Sequence, residues 1–280
     1  MSEKEGYTRE EYFTASDDMI DPIRAEYSSV SPEIQKLVEG IAVGTKEYIL
    51  QKYGEHISKD MKDTFETAEK RIVLVDNEGY KNLCEDWKPE NPLPEPEASA
   101  HFSKLGNLII MLDMVERSKE IINEEKEQYD ALPDDKKSLV LPHIQFSLVT
   151  RALIHELVHS CQVDTGEFHN KNVFRRLALD ESGASYLTAK ILEERYPKAV
   201  TLKGKDDKAR ADTFNYLLGK YGDEVYDVFF NNVPKGSVEK ARHEELQKEI
   251  YSEFNTKKLV QLGILESDKA KVYDHMSESW

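Results

Sequence analysis

The chain has 280 residues with a formal net charge of -16, 39% hydrophobic and 33% charged residues. That length suits one large domain or two small ones, and the Glu- and Lys-rich composition favours long amphipathic helices over strands. The acidic charge argues against nucleic acid and anionic membranes as partners, since phosphate surfaces repel it.

The first 30 residues are polar and acidic without sustained period and read as an irregular arm. They carry no apolar signal segment, and the longest apolar run, Leu108–Leu112, is too short to span a bilayer. The expectation is therefore a cytoplasmic protein without a membrane span. Two cysteines, Cys84 and Cys161, are too few for a disulfide framework and fit a reducing compartment.

Ser31-Pro32-Glu33 is a helix start, and Ile34, Leu37, Val38, Ile41, Ala42 and Tyr48 recur at helical spacing to about Lys52. A short helix is expected over about 59–70. Arg71–Asp76 reads as a strand closed by an Asn77-Glu78-Gly79 turn. The Pro-rich stretch 88–99 is a loop or linker. Residues 100–112 fit strand and helix about equally well; strand is preferred for 107–112, with a helix from about 114 to 130. Beyond 146 the pattern is helical throughout: about 146–163, 172–195, 206–221, 223–231 and 237–260. The expected fold class is α+β and mainly α. Its parts are an N-terminal helical and partly irregular segment 1–70, a sheet plus the helix of about 146–163 over 71–163, and a helical subdomain over 164–280.

Residues 151–162 read RALIHELVHSCQ and contain HExxH as His155, Glu156 and His159. A helix puts residues four apart on one face, so both imidazoles can reach one metal ion. Glu156 then stands beside the ion without ligating it, where a carboxylate can take a proton from water. Leu148, Val149, Ala152, Leu153, Ile154, Leu157 and Val158 make the helix apolar nearly all round, hence buried. Histidines there need a partner, and a metal serves both. The plainer alternative is two histidines at a core edge beside a solvated glutamate.

A catalytic zinc usually takes three protein ligands. The extended pattern HExxHxxGxxH fails here, because Gln162 and Thr165 stand where it needs Gly and His. His169 lies in the next loop and is the weaker choice. On the following helix the apolar stripe Val173, Phe174, Leu177, Ala184, Leu187, Ile191 and Leu192 has Glu181 roughly 30° and Asp180 roughly 70° from its centre. Glu181 is therefore the preferred third ligand, with Asp180 the alternative ligand or else an acceptor for a ligating histidine. Cys161 reads as a small core residue.

HELVH followed by Glu181-x-x-Ala184-x-Tyr186 on a helix resembles the gluzincin zinc metallopeptidases, in their peptidase-MA-like branch. The second motif is ESGASY, with its glycine displaced by one position, and Phe214–Tyr226 resembles a helix junction of that branch. The resemblance covers about residues 71–231. It implies a zincin-like fold, a Zn2+ cofactor on His155, His159 and Glu181, and Glu156 as the base of peptide hydrolysis. It also implies a peptide or protein substrate pairing with an edge strand drawn from 100–112. An oxyanion-stabilising Tyr or His is implied as well, with Tyr216, Tyr221, Tyr226 and His243 open and Tyr186 disfavoured. Peptide deformylases share HExxH, but Cys84 in NLCEDW does not match their cysteine motif. Two other readings remain: a binding protein on a retired peptidase fold, and a helical interaction protein with a chance HExxH.

Overall fold

The computed structural model describes residues 28, 30, 32–87, 100–103, 108–162, 173–199, 205–234 and 236–264. The expected N-terminal arm (apart from residues 28 and 30), the Pro-rich stretch 88–99 and the loop carrying His169 lie outside them. The fold is α+β and mainly α, with one small sheet among many helices.

The chain divides into two compact units, the first built from the described residues of Met1–Glu47, Thr64–Ser160 and Arg195–Leu202. Helix α1 (Pro32–Tyr53) opens the described chain, followed by α2 (Lys59–Phe65) and strand β1 (Ile72–Val75). All four β1 residues are fully buried, as a continuous apolar run in a covered sheet should be. The expected turn at 77–79 is instead the start of α3 (Asn77–Trp87). The Asp76 carboxylate accepts a hydrogen bond from the Gly79 amide at 2.7 Å, which is N-cap geometry, so these residues feed a helix directly. The helix expected over 59–70 is shorter, and a 3-10 turn at Ala68–Arg71 leads into β1.

Strands β2 (Ala100–Ser103) and β3 (Leu108–Leu112) complete a sheet of order β1-β3-β2. β3 runs parallel to β1, with Ile72 opposite Ile109 and Val75 opposite Leu112. β2 runs antiparallel to β3, with Ala100 opposite Met111, and forms an edge. The preference for strand over 107–112 holds. Helices α4 (Val115–Glu124) and α5 (Lys126–Asp130) split the expected single helix at Glu125.

Helix α6 (Asp134–Ser160) is twelve residues longer at its N-terminus than the start expected at 146. Pro142 lies inside it. Proline signals a break because it lacks an amide donor and crowds the preceding turn. Here the helix continues through it. Helix α6 packs against β2, β3 and α4. Leu153, Ile154, Leu157 and Val158 are fully buried, as the all-round apolar pattern requires.

The second unit holds the described residues of Tyr48–Asp63, Cys161–Glu194 and Lys203–Trp280. Its helices are α7 (Val173–Arg195), α8 (Lys205–Tyr221), α9 (Glu224–Phe229), α10 (Ser237–Ser252) and α11 (Thr256–Gln261). The single helix expected over 237–260 divides after Ser252, where the Asn255 side chain accepts from the Lys258 amide and caps α11. Phe214, Phe229, Phe230 and Phe254 are fully buried and dominate this core. The phenyl rings of Phe214 and Phe229 meet edge-on at 5.3 Å between centroids.

Candidate metal centre

His155 and His159 stand in the last two turns of α6, one helical turn apart. Their Nε2 atoms are 3.1 Å apart and their rings are nearly perpendicular, at 80°. Two ring nitrogens aimed at each other repel unless one carries a proton or both face a cation. Two nitrogens at metal–ligand distance from one tetrahedral zinc stand about 3.3 Å apart. The separation here matches that closely.

Glu181 lies on α7. One ligand atom from each of His155, His159 and Glu181 lies within 4.8 Å of the other two, and all three residues are half-buried. Two imidazoles and a carboxylate are a donor set of catalytic zinc sites, which leave a coordination position open. The residues present therefore fit the ion.

Glu156 is 9% exposed. Among the described residues no hydrogen bond or ion pair engages its carboxylate.

The surroundings of the other candidates are as follows. Asp180 has both carboxylate oxygens close to Arg176 Nε, at 2.9 and 3.0 Å, and accepts from Gln162 Nε2 at 2.9 Å. The two outer nitrogens of Arg176 donate to the carbonyls of Val228 and Phe229. Asp180 thus anchors the C-terminal end of α9. Tyr216 and Tyr221 place their hydroxyls on Glu253 at 3.4 and 3.1 Å. Tyr226 is buried among Tyr53, Phe214 and Phe230, and burial pushes its phenol well above the usual range, as do neighbouring Tyr53 and Tyr186. His243 is 6% exposed, and its Nε2 has no hydrogen-bond partner among the described residues. Burial lowers its pKa, against the pull of Asp227. Tyr186 packs on Phe214. Cys161 is a fully buried thiol, in line with its reading as core.

One part of the α7 stripe differs from expectation. Leu177 is 43% exposed, while Ala178, Leu179, Ser182, Ala184, Ser185 and Thr188 are buried. Beside the buried Leu187, Ile191 and Leu192, the buried face includes small residues and hydroxyls, which an apolar count does not register. Gly183 explains the choice of small residues: a Cβ there would stand 2.2 Å from the Phe229 ring.

The sequence reading also missed Arg210. Its Nη1 donates to Glu181 Oε2 at 3.1 Å, and its Nε donates to the Leu262 carbonyl at 3.1 Å. No local pattern announces it, because its partners are 29 and 52 residues away. Arg176 was findable, since it precedes Asp180 by one helical turn, the spacing of a helical ion pair.

Comparison of the chain with protein-family models, with curated proteins and with solved structures gives no match. Among the described residues no helix is long and apolar enough to cross a membrane.

Proposed function

We propose that this protein is a zinc-dependent peptidase of the gluzincin type. The convergence of His155, His159 and Glu181 within 4.8 Å is the observation that carries the reading. A divalent zinc in that group would supply Lewis acidity, lowering the pKa of a water and polarising a carbonyl. The chain's own contribution is distinct. Two imidazoles fixed by a buried helix, and one carboxylate, hold the ion. Glu156 takes the proton of the attacking water and passes it to the leaving amine. The absence of a hydrogen-bond or ion-pair partner among the described residues supports that task, because a carboxylate held in an ion pair is less ready to take a proton.

Strand β2 supports a peptide as substrate. It is the antiparallel edge of the sheet and packs beside α6, the helix that bears the motif. An extended peptide can add to such an edge through main-chain hydrogen bonds, which suits substrates of varied sequence.

Elemental analysis of the purified protein tests the reading, with His159→Ala and Glu181→Ala beside the wild type. The expected result is about one zinc per chain in the wild type and a loss of at least tenfold in metal affinity in each variant. A wild type that takes up no stoichiometric metal ends the proposal. Stoichiometric zinc with no cleavage across a broad peptide panel would favour a metal-bearing binding protein instead.

A further inference from the structure

We infer that Arg210 is the positioning residue of the proposed metal centre, holding the Glu181 carboxylate in its ligating orientation; this rests on the zinc reading above. A glutamate has three rotatable side-chain bonds, so on a half-buried helix face it samples several orientations. Only some of them aim an oxygen at His155 and His159. The ion pair with Arg210 restricts that freedom. It donates from Nη1 to Glu181 Oε2 at 3.1 Å, and the ion pair is sheltered, with side chains 20% and 21% exposed. One carboxylate oxygen is thereby fixed, and Oε1 takes no part in this bond.

Arg210 is itself held. Its Nε donates to the carbonyl of Leu262, the residue that caps the C-terminal end of α11. That end of α11 is well defined. Leu259 and Leu262 are fully buried, Gly263 takes a φ of +68°, and the Ile264 amide returns to the Leu259 carbonyl at 3.0 Å. A glycine just past a helix end tolerates this left-handed conformation readily. A carbonyl in the last turn has no partner within its own helix and needs an outside donor. The planar guanidinium satisfies that carbonyl and the carboxylate at once, which a lysine ammonium on a flexible stem does less well. The orientation of Glu181 is thus tied, through Arg210, to the far C-terminal helix of the described chain.

The test measures zinc affinity by competition with a chromogenic chelator, and the visible absorption of the cobalt(II)-substituted protein. Wild type, Arg210→Ala and Arg210→Lys are compared in the full chain, with unfolding temperatures recorded alongside. The expected result is zinc binding about 10–100-fold weaker in Arg210→Ala. Its cobalt spectrum should also change, because a loosened carboxylate alters the coordination. Arg210→Lys should fall between the two. A folded Arg210→Ala protein with unchanged or tighter zinc binding and the wild-type cobalt spectrum overturns the inference. A lowered unfolding temperature alone would then mean that Arg210 only braces α11. If Arg210→Ala does not fold, Arg210→Lys decides by the same two readings, and wild-type values there overturn the inference. A wild type that binds neither ion removes the zinc reading itself, and this inference with it.

Discussion

A single side chain carries the chemical step proposed here, and Glu156 is separable from the ligands around it. The reason lies in its surroundings: it is largely buried and no described residue bonds its carboxylate. Glu156→Gln preserves shape and removes the base. The variant should keep its zinc and lose about 10²–10⁴-fold in kcat, the usual contribution of a general base. Its unfolding temperature should stay close to the wild-type value, because the amide keeps the shape of the carboxylate and no described residue bonds Glu156. Metal content, peptide cleavage and calorimetry on one preparation check all three. Equal cleavage by a zinc-loaded variant would remove Glu156 from the mechanism.

At the scale of elements, the position of α7 depends on one missing methyl group. A Cβ at Gly183 would lie 2.2 Å from Phe229 Cε2 and 2.4 Å from Cδ2. The Phe229 ring cannot step aside freely, since Phe214 and Phe230 hold it edge-on at 5.3 and 4.7 Å between centroids. Alanine is the better helix former by about 1 kcal/mol, yet overpacking typically costs about 1–3 kcal/mol. Gly183→Ala is therefore expected to lower stability by up to about 2 kcal/mol, on balance of those two effects. Glu181, two residues away on the same helix, should lose metal affinity with it. Urea denaturation measures the first effect, and a denaturation midpoint at or above the wild-type value would contradict the packing argument.

At the scale of the whole molecule, acid should destabilise this protein partly through one buried imidazole. His243 is 6% exposed with Nε2 unpaired among the described residues, and burial lowers its pKa from the usual value. Asp227 and Glu244 pull the value up, and Arg176 pushes it down with the burial. The folded protein then binds fewer protons than the unfolded chain below a pH of about 6.5, so stability falls as pH drops through that region. Unfolding temperatures at pH 7.5 and 5.5 should differ more in wild type than in His243→Leu, which carries no titrating ring. An equal drop in both would assign the acid sensitivity to other groups.

Much of this was legible in the residues themselves. The strand at Ile72–Val75, the helical C-terminal half and the HExxH helix follow from short-range periodicity, which local sterics and one-sided burial impose directly. That His155 and His159 share one face of that helix was readable for the same reason, since residues four apart lie about one helical turn apart. Glu181 came from its place near an apolar stripe, although Leu177 of that stripe proved exposed and Ser182, Ser185 and Thr188 proved buried. The start of α3 was hidden because Asp76 caps a helix with the same residues that would make a turn. Pro142 hid the first half of α6, because a break is only a local tendency and the continuing helix overrides it. What the chain's local pattern determined by itself was which residues could ligate and act as base. That a Glu181 ligand atom lies within 4.8 Å of ligand atoms of His155 and His159, and that Arg210 reaches across 29 residues to Glu181 and 52 to Leu262, only the tertiary structure decided. Contacts between distant residues leave no period in a single chain, so physical proximity alone reveals them.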